Sequence, residues 1–384
     1  MIVTHLSLTD FRNYEHLDVP LHPGANLFVG SNGQGKTNLV ESLGYLSTLG
    51  SHRVSVDHAM IRAGQESAIV RARLASGERE ILAEVQLNRT GANRAQVNRS
   101  PIKTRELPRY FSSVLFAPED LALVRGEPSG RRRFLDELLI LRTPRMSSVV
   151  ADYERVLRQR NTLLKTARNA RGDLSTLDIW DERLVTLGAE IIIARSWLVD
   201  ELSPEVTRAY AAIAGADHAA RLSSRLSIFS SSTDDEVEDA DANRSGPLEQ
   251  SVVADGFRAA LARLRRAELD RGVTLAGPHR DDLVLELNAL PARGYASHGE
   301  SWSFALSLKL ASAEVLRREA STGDPVLILD DVFAELDESR RGRLAAAVGD
   351  FEQVLITAAV FGDVPEELAS NIVRIRAGAV VDDE

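Results

Sequence analysis

Eight consecutive residues carry most of the chemistry: Gly30, Ser31, Asn32, Gly33, Gln34, Gly35, Lys36 and Thr37 complete a G-x-x-x-x-G-K-[ST] pattern. The glycines let successive backbone N–H groups close round a phosphate chain. Lys36 adds a compact charge at the β- and γ-phosphates, and the Thr37 hydroxyl is of the type that ligates Mg²⁺. A helix starting here turns its N-terminus toward the anion, with Asn38 in its first turn. A second set lies 294 residues downstream of Lys36, where four apolar residues (326–329) run into Asp330 and Asp331. An Asp at the carboxyl end of a buried strand is placed to hold Mg²⁺, directly or through water. Asp331 beside it is placed to polarise or deprotonate an attacking water. Together these are Walker A and Walker B patterns, which makes Lys36, Asp330 and Asp331 the catalytic candidates and Thr37 and Asp330 the metal candidates. Asp331 also reads as a second, merely solvated acid.

These residues need elements to hold them. Residues 25–29 form a short apolar strand pattern before the loop, and 38–48 read as the helix after it. The unbroken apolar run at 326–329 suits a strand buried on both faces of a parallel sheet. A single compact phosphate-loop domain needs far less chain between its two motifs, so a domain is inserted. Residues 131–270 look mainly helical: Val149, Tyr153, Val156, Leu163 and Leu164 recur at helical spacing, with further amphipathic stretches at 174–202 and 257–269. The expected organisation is an α/β head from 1–130 plus 271–384 and a helical arm from 131–270. A Ser/Asp-rich acidic segment near 229–247 reads as an exposed, mobile loop on the arm.

Composition limits the remaining options. The chain has no cysteine, which excludes disulfides, a thiol nucleophile and a Cys-based zinc site. No apolar run approaches a membrane span. The first residues read as a strand and not as a signal peptide, so a cytoplasmic location is expected. A net charge of −10 argues against a nucleic-acid partner, but the charge is segregated. Residues 131–171 hold eleven Arg or Lys against four acids. Arg131, Arg132, Arg133, Arg155, Arg158 and Arg160 are therefore candidates for contacts to a DNA backbone, which give affinity but little sequence reading. Only four of the 46 basic residues are Lys. In so Arg-biased a chain, a solvated Arg-rich helix is the competing reading of that window.

Three further features surround the second acid motif. Ser297, His298, Gly299 and Glu300 precede a helix and would form a second anion-binding turn, a signature loop facing a partner subunit's γ-phosphate. Residues 334–337, ending in Asp337, read as a D-loop that crosses a dimer interface. The strand at 353–357 ends in Thr357, where transporter ATPases carry a switch His. Alone, the first also reads as an N-cap turn and the last as a strand-end cap. Ser297, Gly299, Glu300 and Asp337 are the dimer-interface candidates, and Ser297 and Gly299 count as nucleotide ligands supplied in trans.

Several segments quoted together resemble the RecF family of bacterial DNA replication and repair ATPases, over nearly the whole chain. They are Leu-Thr-Asp-Phe-Arg-Asn-Tyr at 8–14, the phosphate loop with Asn38 and Glu41, Ser-His-Arg at 51–53, and Phe-Ala-Pro-Glu-Asp-Leu at 116–121. Arg-Arg-Arg-Phe-Leu-Asp at 131–136, Gly-Pro-His-Arg-Asp-Asp at 277–282 and Asp-Asp-Val-Phe-Ala-Glu-Leu-Asp at 330–337 complete the set. One departure is Glu300, where the signature loop more often ends in Gln. The resemblance implies an ABC-type ATPase head with an inserted arm, and it adds Arg12 and Asn13 to the nucleotide ligands. It further implies ATP and Mg²⁺ as cofactors and an ATP-dependent homodimer. DNA binding at gaps or single-strand/duplex junctions, a weak DNA-stimulated ATPase, and RecO and RecR mediators as partners that load recombinase also follow from it, as does a nucleoid-associated location.

Three other readings compete. A transporter ATPase subunit shares the nucleotide motifs but needs only a short insertion. Chromosome-organising and zinc-hook ATPases need hundreds of residues of heptad coiled coil, and the hook needs Cys-x-x-Cys. An ATP-liganded scaffold without significant turnover is the remaining alternative, against which Asp331 argues.

Overall fold

In the computed structural model, residues 1–170, 176–215, 218–230, 243–246, 248–320 and 322–381 are described. The acidic segment expected near 229–247 lies mostly outside them.

The chain begins with β1 (Ile2–Phe11), β2 (Tyr14–Pro20) and β3 (Gly24–Val29), then α1 (Lys36–Thr48). Next come β4 (Ser67–Ser76), β5 (Arg79–Asn88), β6 (Arg94–Val97), β7 (Ser100–Ile102) and β8 (Ser113–Phe116). Helices follow: α2 (Leu121–Arg125), α3 (Pro128–Arg142), α4 (Met146–Ala170) and α5 (Leu177–Ala214). Strands β9 (Ala220–Arg225) and β10 (Asn243–Arg244) precede α6 (Gln250–Arg271), β11 (Asp282–Leu287), β12 (Leu290–Pro291) and α7 (Ala292–Tyr295). The chain closes with α8 (His298–Glu319), β13 (Val326–Asp330), α9 (Glu338–Val348), β14 (Gln353–Ala358), β15 (Asn371–Arg376) and β16 (Ala379–Val381).

The chain divides into two compact units. One comprises Met1–Leu121, Arg208–His218 and Ser297–Glu384, and the other Ala122–Thr207 and Ala219–Ala296. The second unit thus extends beyond the expected 131–270 at both ends, while Arg208–His218 within that range goes to the first unit. The reason is local: β11 pairs antiparallel with β9, and Arg131 on α3 grips Asp282 at the start of β11. Those ties pull both flanks of the expected arm into it.

The first unit contains two six-stranded sheets. In the order β16-β15-β3-β14-β13-β8, every pairing from β15 to β8 is parallel. All residues of β13 and β14 are buried, so the continuous apolar run at 326–329 has both faces covered, as expected. The second sheet, β2-β1-β4-β5-β6-β7, is antiparallel, and β4 alternates buried and part-exposed positions, the pattern of a sheet with one wet face. Helix α1 packs on β8, β13 and β14 of the first sheet and on β4 of the second. One apolar core joins them, including Phe28, Leu39, Leu43 and Ile328.

The second unit is mainly helical, with a small antiparallel sheet, β10-β9-β11-β12, that periodicity did not reveal. Its core draws Tyr153 and Val156 from α4, Leu184 and Ile192 from α5, and Phe257 and Leu261 from α6.

Candidate nucleotide site

The phosphate loop leaves β3 at the carboxyl edge of the parallel sheet and enters α1 at Lys36. Gly35 sits at φ 116°, and a Cβ there would lie 2.7 Å from Asn13 Nδ2 and 2.9 Å from the Tyr14 hydroxyl. Only glycine fits. The loop is pinned from two sides. Asn13 Nδ2 donates to the Gln34 carbonyl (3.2 Å), Asn38 Nδ2 donates to Asn13 Oδ1 (2.8 Å), and the Tyr14 hydroxyl donates to the Gly35 carbonyl (3.0 Å). From the β15–β16 turn, the Ala377 N–H donates to Gln34 Oε1 (2.6 Å) and the Gly378 N–H to the Gln34 carbonyl (3.0 Å). The Lys36 ammonium bridges the carbonyls of Gly30 (2.6 Å) and Ser31 (3.2 Å). Burial lowers its pKa, with the charges of Asp331 and then Asp330 opposing.

The two acids meet this loop. Thr37 Oγ1 donates to Asp330 Oδ1 at 3.1 Å. Asp330 is 2 % exposed, and burial pushes its carboxyl up to about 6. The hydroxyls of Thr357 and Thr37 pull it back, while the charges of Asp331 and Glu119 push it further up. Asp331 takes a left-handed conformation (φ 56°), and its buried Oδ1 has no hydrogen-bond partner among the described residues. An acid pair with surplus negative charge beside a phosphate loop suits a hard cation with oxygen ligands.

Arg12 has partners other than those the resemblance implies. Its Nε and Nη2 fork onto Glu41 (2.8 and 2.6 Å), and Nη1 donates to the Ala59 carbonyl (3.0 Å). Burial alone would raise the Glu41 carboxyl. The hydrogen bonds from Arg12 and Ser51 and the charges of Arg12 and Arg53 hold it below the ordinary range. Arg12 therefore braces α1, while Asn13 next to it reaches the loop.

Two neighbours of the acids complete the picture: Thr357, read in the sequence as a strand-end cap or the position of a switch His, and Glu119, which carried no assignment there. Thr357 Oγ1 donates to Asp330 Oδ1 at 2.6 Å, and the Asp331 N–H donates to Thr357 Oγ1 at 3.0 Å. Glu119 follows β8, whose Phe116 is in register with Leu329 of β13, so the segment 116–121 reaches the same edge as Asp330. An acid three residues past a strand that flanks the strand of the candidate metal ligand Asp330 was the available signal.

The second-half motifs have their own partners. Ser297 caps α8 in a capping box: its N–H donates to Glu300 Oε2 (2.7 Å), and the Glu300 N–H donates to Ser297 Oγ (3.3 Å). Those bonds hold the Glu300 carboxyl below its ordinary value. Gly299 lies in the first turn of α8. Asp337 caps α9, accepting from the Arg340 N–H (2.9 Å), and pairs with the Arg340 guanidinium (2.9 Å). None of these bonds runs to residues 30–38.

The arginine candidates divide sharply by burial. Arg131 is buried; its Nε and Nη2 fork onto Asp282 (2.7 and 2.8 Å), and Nη1 serves the Gly126 and Leu123 carbonyls. Arg160 is fully buried between Asp181 (2.7 Å), Glu268 (2.6 Å) and Thr274 (2.8 Å). Both are structural ions of the second unit, which corrects their assignment as DNA contacts. Arg132 is half-buried on the Asp281 carbonyl (2.8 Å). Arg133, Arg155 and Arg158 are exposed, each paired with an acid on its own helix.

Comparison with known proteins supplies the family. The family described as RecF/RecN/SMC N terminal domain matches residues 2–377. A protein of Leifsonia xyli subsp. xyli named "DNA replication and repair protein RecF" is 66% identical over 100% of both chains. One of the same name from Clavibacter sepedonicus is 66% identical over 100% of this chain and 95% of its own length. A solved structure of the recombination mediator protein RecF with ATP, in the RecFOR pathway, superposes with a TM-score of 0.87 at 27% identity, covering 100% of this chain and 97% of that one. An Smc head bound to part of ScpA matches at a TM-score of 0.54 and 15% identity, which shows the fold alone. The first unit is accordingly an ABC-type ATPase head with the mainly helical second unit inserted in it. From family match, full-length identity and fold together, the chain belongs to the RecF family of DNA replication and repair proteins.

Proposed function

We propose that this chain is an ATP-dependent DNA-binding protein of recombinational repair and replication restart. ATP closes a homodimer on gapped or single-strand/duplex junction DNA, and slow hydrolysis reopens it. The observation that carries the reading is the Thr37–Asp330 hydrogen bond, which joins the phosphate-loop hydroxyl to the Walker B carboxylate. The solved RecF–ATP structure supports ATP as the ligand, and its RecFOR setting supports RecO and RecR as partners.

The residues fit the chemistry. Loop N–H groups and Lys36 anchor the β- and γ-phosphates. Thr37 and Asp330 would hold Mg²⁺ as oxygen ligands, and the ion would supply neutralisation of charge on the transferred phosphoryl group. Asp331 takes the proton of the attacking water as its oxygen bonds to the γ-phosphorus. The bond from that phosphorus to the bridging oxygen breaks, giving ADP and phosphate. Ser297 and Gly299 close the γ-phosphate from the other protomer, so nucleotide and dimer are linked by mass action. A cytoplasmic, nucleoid-associated site of action goes with this reading.

The test is binding to a gapped duplex with and without ATP, with sedimentation recording oligomeric state. Tight binding that arises together with an ATP-dependent dimer, and is lost in Lys36→Ala, is the expected result. ATP binding without DNA affinity would sink the clamp. Turnover unaffected by Asp331→Asn would remove Asp331 as the base, and ATP binding without measurable turnover in the parent protein would favour a scaffold.

A further inference from the structure

Thr357 is the penultimate residue of the wholly buried β14 and is itself fully buried, so it contacts protein groups and not solvent. A threonine hydroxyl has one proton to donate and lone pairs to accept with. Here the proton goes to Asp330 Oδ1 at 2.6 Å. The Thr357 hydroxyl oxygen in turn accepts the Asp331 N–H at 3.0 Å, and the Thr357 carbonyl accepts it at 3.3 Å. One side chain thus holds the carboxylate of one acid and the backbone of the next.

We propose that Thr357 is a positioning residue that sets both acids of the nucleotide site; the inference rests on the reading of that site given above. Its effect on Asp330 is rotational. Oδ1 already receives hydroxyls from Thr357 and Thr37, which fixes the plane of the carboxylate and leaves Oδ2 for a cation. Its effect on Asp331 is conformational. A non-glycine residue at φ 56° persists only where its surroundings enforce it, and the hydrogen bonds to Thr357 do so. Register explains why position 357 can do this. Thr357 lies beside Asp330 on one flank and Phe28, just before the loop, on the other. A switch His at this strand end would face the nucleotide, whereas Thr357 works from within the sheet.

The test uses full-length Thr357→Val, which keeps shape and loses the hydroxyl, and Thr357→Ser, which keeps the hydroxyl. Affinity for a fluorescent, non-hydrolysable ATP analogue is measured in EDTA and across a Mg²⁺ titration, and single-turnover hydrolysis is measured alongside. For Thr357→Val, the Mg²⁺ concentration giving half-maximal tight binding rises, and the single-turnover rate falls, each by about 10- to 100-fold, the usual effect of losing a group that orients a metal ligand. Affinity in EDTA stays within about twofold because the loop and Lys36 are untouched. Thr357→Ser behaves as the parent protein. Parent-like Mg²⁺ dependence and rate in Thr357→Val would overturn the proposal, as would a Thr357→Ser variant as impaired as Thr357→Val, since that points to methyl packing. If Thr357→Val does not fold, Thr357→Ala takes its place in the same comparison. If the parent protein shows no turnover at all, the hydrolysis reading fails, while the Mg²⁺ titration still decides the role of Thr357.

Discussion

Thr37 and Asp330 stand 293 residues apart in the chain and meet hydroxyl to carboxylate at 3.1 Å. The sheet makes the meeting possible, because β3 and β13 flank the same strand, β14, and all three run parallel. The loop after β3 and the acid ending β13 therefore emerge at one edge. The 164 residues of the second unit are inserted between the two strands' parts of the chain, since long insertions cost little where the core is not interrupted.

If the two groups act together on the cation, their substitutions are not independent. Thr37→Ala and Asp330→Asn each weaken Mg²⁺-dependent nucleotide binding, and the double variant loses less than the sum. A coupling of about 1 kcal/mol or more is expected for groups sharing one hydrogen bond and one ligand. Analogue binding at saturating Mg²⁺ measures all four corners of the cycle. Strict additivity would separate the two residues functionally.

The arginines of α3 and α4 should separate into two phenotypes. Arg160→Met leaves Glu268 and Asp181 in the core without that guanidinium, although Arg265 still reaches Asp181 at 2.9 Å. Breaking a buried pair from one side costs about 3–5 kcal/mol, so Arg160→Met should lower the unfolding midpoint severely. Arg133→Gln, Arg155→Gln and Arg158→Gln lie on the surface and should change stability by no more than about 0.5 kcal/mol each. If they meet DNA phosphates, each lowers the slope of log affinity against log salt by about one. An unchanged slope in the triple variant would leave the exposed arginines without a role in DNA binding.

The nucleotide site was largely legible in the sequence because its constraints are local and strict. Gly35 has no substitute at its φ, Lys36 has few in a chain with four lysines, and a run such as 326–329 is hard to place anywhere but a buried parallel strand. Charge counting was a poorer guide. It treats every arginine alike, whereas Arg131 and Arg160 are neutralised by Asp282, Asp181 and Glu268, acids that lie up to 151 residues away in the chain. Thr357 was read only as a strand-end cap or the position of a switch His for a similar reason: its hydrogen bonds to Asp330 and Asp331 run across strands, and no local pattern records register. The short strands β9 and β11 escaped notice because helical periodicity dominates the residues on either side.

Glu300 offers a test of the dimer reading. Its carboxylate occupies the N-terminal end of α8, bonded to the Ser297 N–H, and so satisfies part of the positive end of that helix. In Glu300→Gln the side-chain carbonyl still accepts from Ser297, but the charge that a partner's γ-phosphate would face is gone. The ATP-dependent dimer should tighten by about two- to fivefold, the size of one charge–helix-end interaction. Sedimentation equilibrium with a non-hydrolysable ATP analogue measures it. A dimer that weakens while α8 remains folded would mean that Glu300 makes a favourable contact across the interface and that the signature loop does not meet a phosphate there.

Asp281 should write its signature on the pH dependence of stability. It is 5 % exposed, and burial raises its carboxyl to about 6, while bonds from the Ser227 hydroxyl and N–H, and then the charges of Arg195 and Arg132, pull the other way. Its Oδ2 has no hydrogen-bond partner among the described residues. Because the folded value lies above the 3.8 of an ordinary aspartate carboxyl, the folded state binds the proton more tightly between pH 6 and 4. Asp281 therefore stabilises the fold as pH falls through about 6 and destabilises it above. His279, held to about 3 mainly by burial, contributes with the opposite sign, and Asp330 with the same sign, so only a difference isolates Asp281. Asp281→Asn keeps the acceptor for Ser227 and removes the charge. Subtracting its denaturant-unfolding free energy from that of the parent should leave a curve that is flat above pH 7 and shifts in favour of the parent between pH 6 and 4. A difference that is flat throughout would mean that Arg132 and Arg195 compensate the buried charge in full.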